Sequence, residues 1–198
     1  MVLNIRKGVI IVGVDMAVEP ADKESFNVLF VCNENIGRSQ TAQAIAEDAL
    51  KKERTSVKFT IRSAGIGVTT GEPGQAASLE GKTVTEVAPL LTELFSKVVG
   101  KEFPPDQYIK PLTQKLFDEA DLVVFLLSPA ERSMIPSYAR DSKKVEFMET
   151  TDLSPKNPNR EEAMRKLQRE VTILVTNLVT ETRKSESLMP STPKSRVA

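Results

Sequence analysis

The chain has 198 residues, with 27 Lys plus Arg, 27 Asp plus Glu, one Cys and no His. That length suits one domain with extensions, able to bury a core without disulfides or metals, and the balanced charge lacks the basic excess a nucleic-acid partner calls for. A single thiol excludes an internal disulfide or a Cys-rich metal site, and the lack of His excludes Ser-His-Asp triads, Cys-His pairs and the usual zinc sites.

Residues 1–26 read as a leader, either an extra strand or disordered. Its apolar run GVIIVGV (8–14) stops at Asp15 without a small-residue cleavage site. No stretch approaches the roughly 18 apolar residues of a membrane span, so the expected setting is soluble, reducing and cytoplasmic, which suits a lone thiol. NVLFV (27–31) is a continuous apolar run, the mark of a strand buried on both faces. From Arg38 the period changes: Ala42, Ile45, Ala46, Ala49 and Leu50 describe a helix with one buried stripe.

SVKFTIRSAG (56–65) alternates like a strand, and IGVTTGEPGQAAS after it is a Gly-, Thr- and Pro-rich loop. Val84, Val87, Leu90, Leu91, Leu94 and Phe95 predict a helix that Pro89 starts or kinks. PLTQKLFDEA (111–120) reads as helix, DLVVFLL (121–127) as a buried strand, and VEFM (145–148) as a fourth strand. TTDLSPKNPNR is a loop, and Met164, Leu167, Val171, Leu174, Val175 and Leu178 mark a long amphipathic helix. The Pro/Ser-rich end, residues 184–198, is expected to be a disordered tail.

Strands alternating with helices predict an α/β domain over 27–183, with a mostly parallel four-stranded sheet covered on both faces as three layers, α/β/α. Ligands gather beyond the carboxyl ends of such strands. Cys32, Ser63, Ser128 and Asp152 all follow predicted strands and are expected at one rim.

The segment Cys32-Asn33-Glu34-Asn35-Ile36-Gly37-Arg38-Ser39 lies between a buried strand and a helix. Free backbone amides and the positive end of the helix dipole converge in such a loop and favour an anion such as phosphate or sulfate. The same field, with the Arg38 guanidinium, favours thiolate over thiol at Cys32. Arg38 can grip two phosphoryl oxygens at once, and Ser39 is within reach of the sulfur as a hydrogen-bond donor. A nucleophile at the base of an anion cradle is the arrangement that covalent phosphoryl transfer requires. The alternatives are plain ones: a lone cysteine after a strand also occurs as a small core hydrophobe, and Asp152 in a Pro-rich loop also suits a turn or cap.

VLFVCNENIGRSQTAQAIAEDAL resembles the opening of the low-molecular-weight protein tyrosine phosphatase family, V-L-F-V-C-x-G-N-x-C-R-S-P-x-A-E, whose fold and loop thioredoxin-linked arsenate reductases share. RSAG (62–65), PLT (111–113), ADLVVFLL (120–127) and a late Asp extend the likeness over roughly residues 27–183. The resemblance implies the flavodoxin-like architecture of that family and a cofactor-free, metal-free phosphatase. It makes Cys32 the nucleophile that becomes a cysteinyl-phosphate, Arg38 the binder of the phosphoryl oxygens and Asp152 the general acid and base. Residues 33 to 39 bind the phosphoryl group, Ser39 supports the thiolate, and Asn35 holds the loop shape through bonds that include Ser63. It implies a phosphorylated protein or small phosphate ester as partner, neither nucleic acid nor membrane, and a monomer or weak dimer.

Four residues depart from the pattern. Glu34 replaces the loop glycine and adds negative charge beside an intended dianion. Gly37 replaces the second loop cysteine, so no vicinal disulfide can form. Gln40 replaces the proline after Arg-Ser, and Leu153 follows Asp152 where the family carries Asp-Pro, with Asp141 as a weaker substitute acid. The stretches that carry aromatic side chains in tyrosine-specific members, IGVTTGEP and LSPKNPN, have none. These departures keep two further readings open: an oxyanion- or phosphoprotein-binding module without turnover, and an arsenate reductase-like oxidoreductase using external thiols.

Overall fold

Two continuous apolar runs, one alternating run and the short VEFME segment become the strands of a single sheet. The structure is a computed structural model, which describes residues 24–68 and 78–188. In chain order the elements are β1 (Ser25–Cys32), α1 (Arg38–Leu50), β2 (Lys58–Gly65), α2 (Val84–Val87), α3 (Pro89–Val99), α4 (Gln114–Glu119), β3 (Leu122–Leu127), a 3-10 turn (Pro129–Met134), α5 (Ser137–Arg140), β4 (Val145–Glu149) and α6 (Arg160–Leu188). All four strands are parallel, in the order β2-β1-β3-β4.

Strand alternation divides the core into two layers. Phe26, Val28, Phe30 and Cys32 of β1, with Leu122, Val124 and Leu126 of β3, face α1, α3 and α6. Leu29 and Val31, with Val123, Phe125 and Leu127, face the side of α4, the 3-10 turn and α5, against Phe117, Ile135 and Ala139. Every residue of β3 is buried. The three-layer α/β/α expectation therefore holds, with a sheet that is wholly parallel.

The topology also selects where a ligand binds. The chain moves from β1 outward to β2, then crosses back to lay β3 on the other side of β1. At such a reversal the two crossovers diverge and leave a crevice beyond the carboxyl ends of the inner strands. Cys32 ends β1 and Leu127 ends β3, so the loops beginning at Asn33 and Ser128 flank that crevice.

Several boundaries differ from the sequence reading. β1 begins at Ser25, inside the predicted leader, and α6 continues to Leu188, past the predicted domain end at 183. The single helix expected over 84–95 is two, because Pro89 occupies the first turn of α3 and leaves Ala88 at φ −143°, ψ 57°. A proline disfavours the helical conformation for the residue before it. Leu90, expected on the buried stripe, is 48% exposed as a result. α4 is shorter than predicted, since Pro111 bridges to Gly65 and Thr113 caps the helix by accepting from the Leu116 amide. The 3-10 turn and α5 fall in a stretch given no element. Residues 1–23, 69–77 and 189–198, which carry most of the leader, loop and tail expectations, lie outside the described residues. Among the described residues no helix is long and apolar enough to cross a membrane, and no group of acidic or Cys side chains is disposed to hold a metal.

Candidate active site

β1 delivers Cys32 to the crevice, 2% exposed, and the chain then turns through residues 33–37 into α1. Asn35 makes that turn possible. It is the one non-glycine among the described residues with positive φ, 53°, a left-handed conformation that Asn tolerates better than most side chains. Its carboxamide then locks the loop from inside. Nδ2 donates to Ser39 Oγ at 3.0 Å, while Oδ1 accepts from Gln40 Nε2 at 3.1 Å and from the Lys110 amide at 2.8 Å. Gln40, buried where the family pattern has proline, also donates to the Tyr108 carbonyl at 2.8 Å. Among the described residues, the amides of Glu34, Asn35, Ile36 and Gly37 donate to no other backbone group. They remain available beside the N-terminus of a 13-residue helix.

The sulfur sits 3.0 Å from Ser39 Oγ. That oxygen also accepts from Asn35, and its one hydrogen is within reach of the sulfur. Gly65, at the end of β2, backs the loop so closely that a Cβ there would lie 2.7 Å from both the Asn33 carbonyl oxygen and the Asn35 nitrogen. No side chain fits at that position without moving the loop.

Arg38 opens α1 and is 6% exposed. Its two terminal nitrogens donate to Glu131, Nη1 to Oε2 at 2.7 Å and Nη2 to Oε1 at 2.6 Å. Glu131 is itself held by Ser128, whose amide and hydroxyl both donate to Oε2 at 2.8 Å. The Arg38 bonds, opposed by burial and assisted by those of Ser128, lower the Glu131 carboxyl to about 2. Burial works against the charge of Arg38, but Glu131, Cys32 and Asp152 outweigh it and hold the guanidinium above its ordinary value. An end-on pair of this kind engages one hydrogen of each terminal nitrogen. It leaves Nε–H and a neighbouring N–H as a second fork, the one an oxyanion needs.

Asp152 reaches the same crevice from the loop between β4 and α6. Its Oδ1 accepts from the Ser154 amide at 3.2 Å, and its carbonyl accepts from Asn157 Nδ2 at 2.5 Å. Asp152 therefore makes turn contacts and lines the cavity at once. The neighbouring Leu153, 2% exposed, reaches Gly37 with its Cβ 3.7 Å from where a glycine Cβ would stand. Burial of Leu153 in the core ties down the loop that lacks the Asp-Pro pair.

A cavity of about 300 Å³ is lined by Cys32, Asn33, Glu34, Gly37, Arg38, Ser128, Glu131 and Asp152. The side chains of Asn35 and Ser39 stand behind it, buried, and that of Ile36 packs against the core, so these three residues offer the cavity no side chain. Asp141 ends α5 away from it. Ser63 corrects the expectation made for it. It lies inside β2, paired in register with Phe30, and donates to Gln43 Oε1 at 2.7 Å instead of bonding Asn35. The residue the sequence reading missed is Glu131. Its signal was present as Ser128-Pro-Ala-Glu131, a Ser-x-x-Glu capping pattern with proline at the first position.

The family described as low molecular weight phosphotyrosine protein phosphatase matches residues 27–181. No curated protein sequence matches the chain. Among solved structures, a mutant of YwlE from Bacillus subtilis is 22% identical, with TM-score 0.55, over 80% of this chain and 99% of that one. A low molecular weight protein tyrosine phosphatase from T. tengcongensis is 22% identical, TM-score 0.54, over 79% and 99%. YwlE arginine phosphatase from Geobacillus stearothermophilus is 19% identical, TM-score 0.52, over 82% and 96%. At these identities the structural likeness establishes the fold.

Proposed function

This chain belongs to the low molecular weight phosphotyrosine protein phosphatase family, and on that premise we propose that it hydrolyses phosphate monoesters through a cysteinyl-phosphate on Cys32. One observation carries the reading: Cys32 Sγ, bonded to Ser39 at 3.0 Å, opens into the same cavity as Arg38 and Asp152.

In the first step the Cys32 thiolate attacks phosphorus, an S–P bond forms and the bond to the leaving oxygen breaks. Protonated Asp152 gives its proton to that oxygen. The loop amides and the free fork of Arg38 take up the charge on the three equatorial oxygens, while Glu131 holds the guanidinium from its other end. In the second step the Asp152 carboxylate takes a proton from water. The water oxygen attacks phosphorus, the S–P bond breaks, and inorganic phosphate leaves with the thiolate restored. No metal or redox partner enters the balance.

The departures noted in the sequence are compatible with this role. Gln40 supports the loop through Asn35, Glu34 points to solvent from the cavity mouth, and Leu153 anchors the acid loop. Solved relatives in fold include phosphatases named for tyrosine and for arginine. The substrate proposed here is a phosphorylated protein or small phosphate ester, met in a reducing compartment such as the cytoplasm.

The test is metal-free hydrolysis of p-nitrophenyl phosphate, with vanadate as inhibitor. Cys32→Ser is expected to lower kcat by more than about a thousandfold. Wild-type rates in that variant would end the proposal. Tight phosphate binding with no turnover by the wild type would favour the binding-module reading, which the Glu131–Arg38 pair also suits.

A further inference from the structure

The cavity sorts its charges by depth. At the bottom lie Arg38, the free loop amides and the N-terminus of α1, all positive in effect. At the mouth stand two exposed carboxylates, Glu34 and Asp152, and Glu131 lines the wall between Ser128 and Arg38. Among the described residues, no lysine, no second arginine and no apolar side chain lines the cavity. Glu131 is already matched to Arg38, and Asp152 is committed to proton transfer. Glu34 is left as a surface carboxylate with no ion-pair partner among the described residues.

A dianion approaching from solvent therefore passes negative charge before it reaches its cradle. A substrate that carries a cation just behind its phosphoryl group meets the reverse, with its anion in the positive floor and its cation at the negative rim. We infer that the site selects phosphorylated polypeptide segments in which Lys or Arg adjoins the modified residue, and that Glu34 is the specificity-determining side chain. The inference rests on the phosphatase reading for the identity of the cavity and adds the charge of what enters it. An exposed carboxylate paired with one basic side chain supports a preference of about fivefold, weakening as salt screens it.

The experiment compares three phosphotyrosyl peptides of equal length, flanked by arginine, by alanine and by glutamate. It measures kcat/KM for turnover and Kd for the same peptides carrying a non-hydrolysable phosphonate. The wild type is expected to favour the arginine-flanked peptide over the alanine one by about fivefold, with the glutamate-flanked peptide lowest. Glu34→Gln is expected to bring the first ratio close to one, whatever happens to the absolute rates. A flat wild-type series, or a series that Glu34→Gln leaves unchanged, overturns the inference. Preferential phosphonate binding without hydrolysis of any peptide would instead sink the phosphatase reading and leave this one supported.

Discussion

The two loops that meet across the cavity are built on opposite terms. The loop of residues 33–37 is braced from within: Asn35 alone ties it to Ser39, Gln40 and Lys110, and Gly65 presses on it from behind. The loop carrying Asp152 stands exposed, capped by its own Ser154 and Asn157 and pinned by one buried side chain, Leu153. Transition-state charge is stabilised best by donors that need not reorganise, so under the proposed mechanism Cys32 and the anion cradle profit from rigidity. Proton transfer needs only approach to a leaving oxygen whose position varies with substrate. The sequence departures from the family follow the same division. Gln40 extends the bracing, while Leu153 replaces a rigid proline with an apolar contact.

Between the two loops, the largest effect should come from removing the proposed acid, Asp152, while leaving its loop in place. Asp152→Asn keeps an oxygen for the Ser154 amide but has no proton to give at the right strength. For an alkyl phosphate, whose leaving oxygen must be protonated, kcat is expected to fall by about 10²–10⁴-fold. With p-nitrophenyl phosphate, whose anion leaves unaided, the loss in the first step should be much smaller. The comparison is read in kcat/KM, which reports the first step, because Asp152 also serves the second step that both substrates share; equal losses in kcat/KM would show that the acid lies elsewhere.

A smaller but more general loss should follow from disturbing the braced loop. Gly65→Ala places a methyl 2.7 Å from two backbone atoms of that loop, which cannot rotate away as a side chain would. Overpacking of this kind costs about 1–3 kcal/mol of stability, and a loop displaced by about 1 Å is expected to misalign Cys32 and the donors enough to cost about a hundredfold in kcat. Both substrates should suffer alike, in contrast to Asp152→Asn. Chemical unfolding and the two assays together distinguish the cases. Unchanged kcat at reduced stability would show that the loop tolerates the shift.

How much of this was readable from the residues divides along the same line. β1, α1 and the cradle between them were legible because one local stretch carries every cue: an apolar run, Asn at the turn, Arg-Ser at the helix start. The roles of Ser63 and Gln40 were not, because they depend on which buried neighbour lies across a helix-strand contact. Spacing along the chain says nothing of that. Ser63 bonds Gln43, five residues past the arginine, and so supports α1 instead of the loop. Glu131 was hidden for a different reason. Its capping pattern predicts a local turn, and only the β1–β3 pairing brings that turn 93 residues across to Arg38.

The mildest variant asks whether Glu131 braces the arginine or merely fills its fork. Glu131→Gln keeps size and one oxygen but removes the charge that makes the two bonds to Arg38 strong. If Glu131 positions Arg38, kcat should fall by about tenfold while Ser128 and the 3-10 turn stay folded; a fall in KM with kcat unchanged would mean that the carboxylate competes with phosphate. The pH dependence of stability gives a second readout. The folded-state carboxyl sits at about 2, below its ordinary 4.5. Its contribution is therefore complete above pH 4.5 and is lost as pH falls through about 2. The stability difference between wild type and Glu131→Gln, measured by urea unfolding, should be constant from neutral pH down to 4.5 and shrink steadily below it. A difference that stays level through the acid range would mean that the ion pair does not survive in solution. Arg38 would then be held by the helix alone.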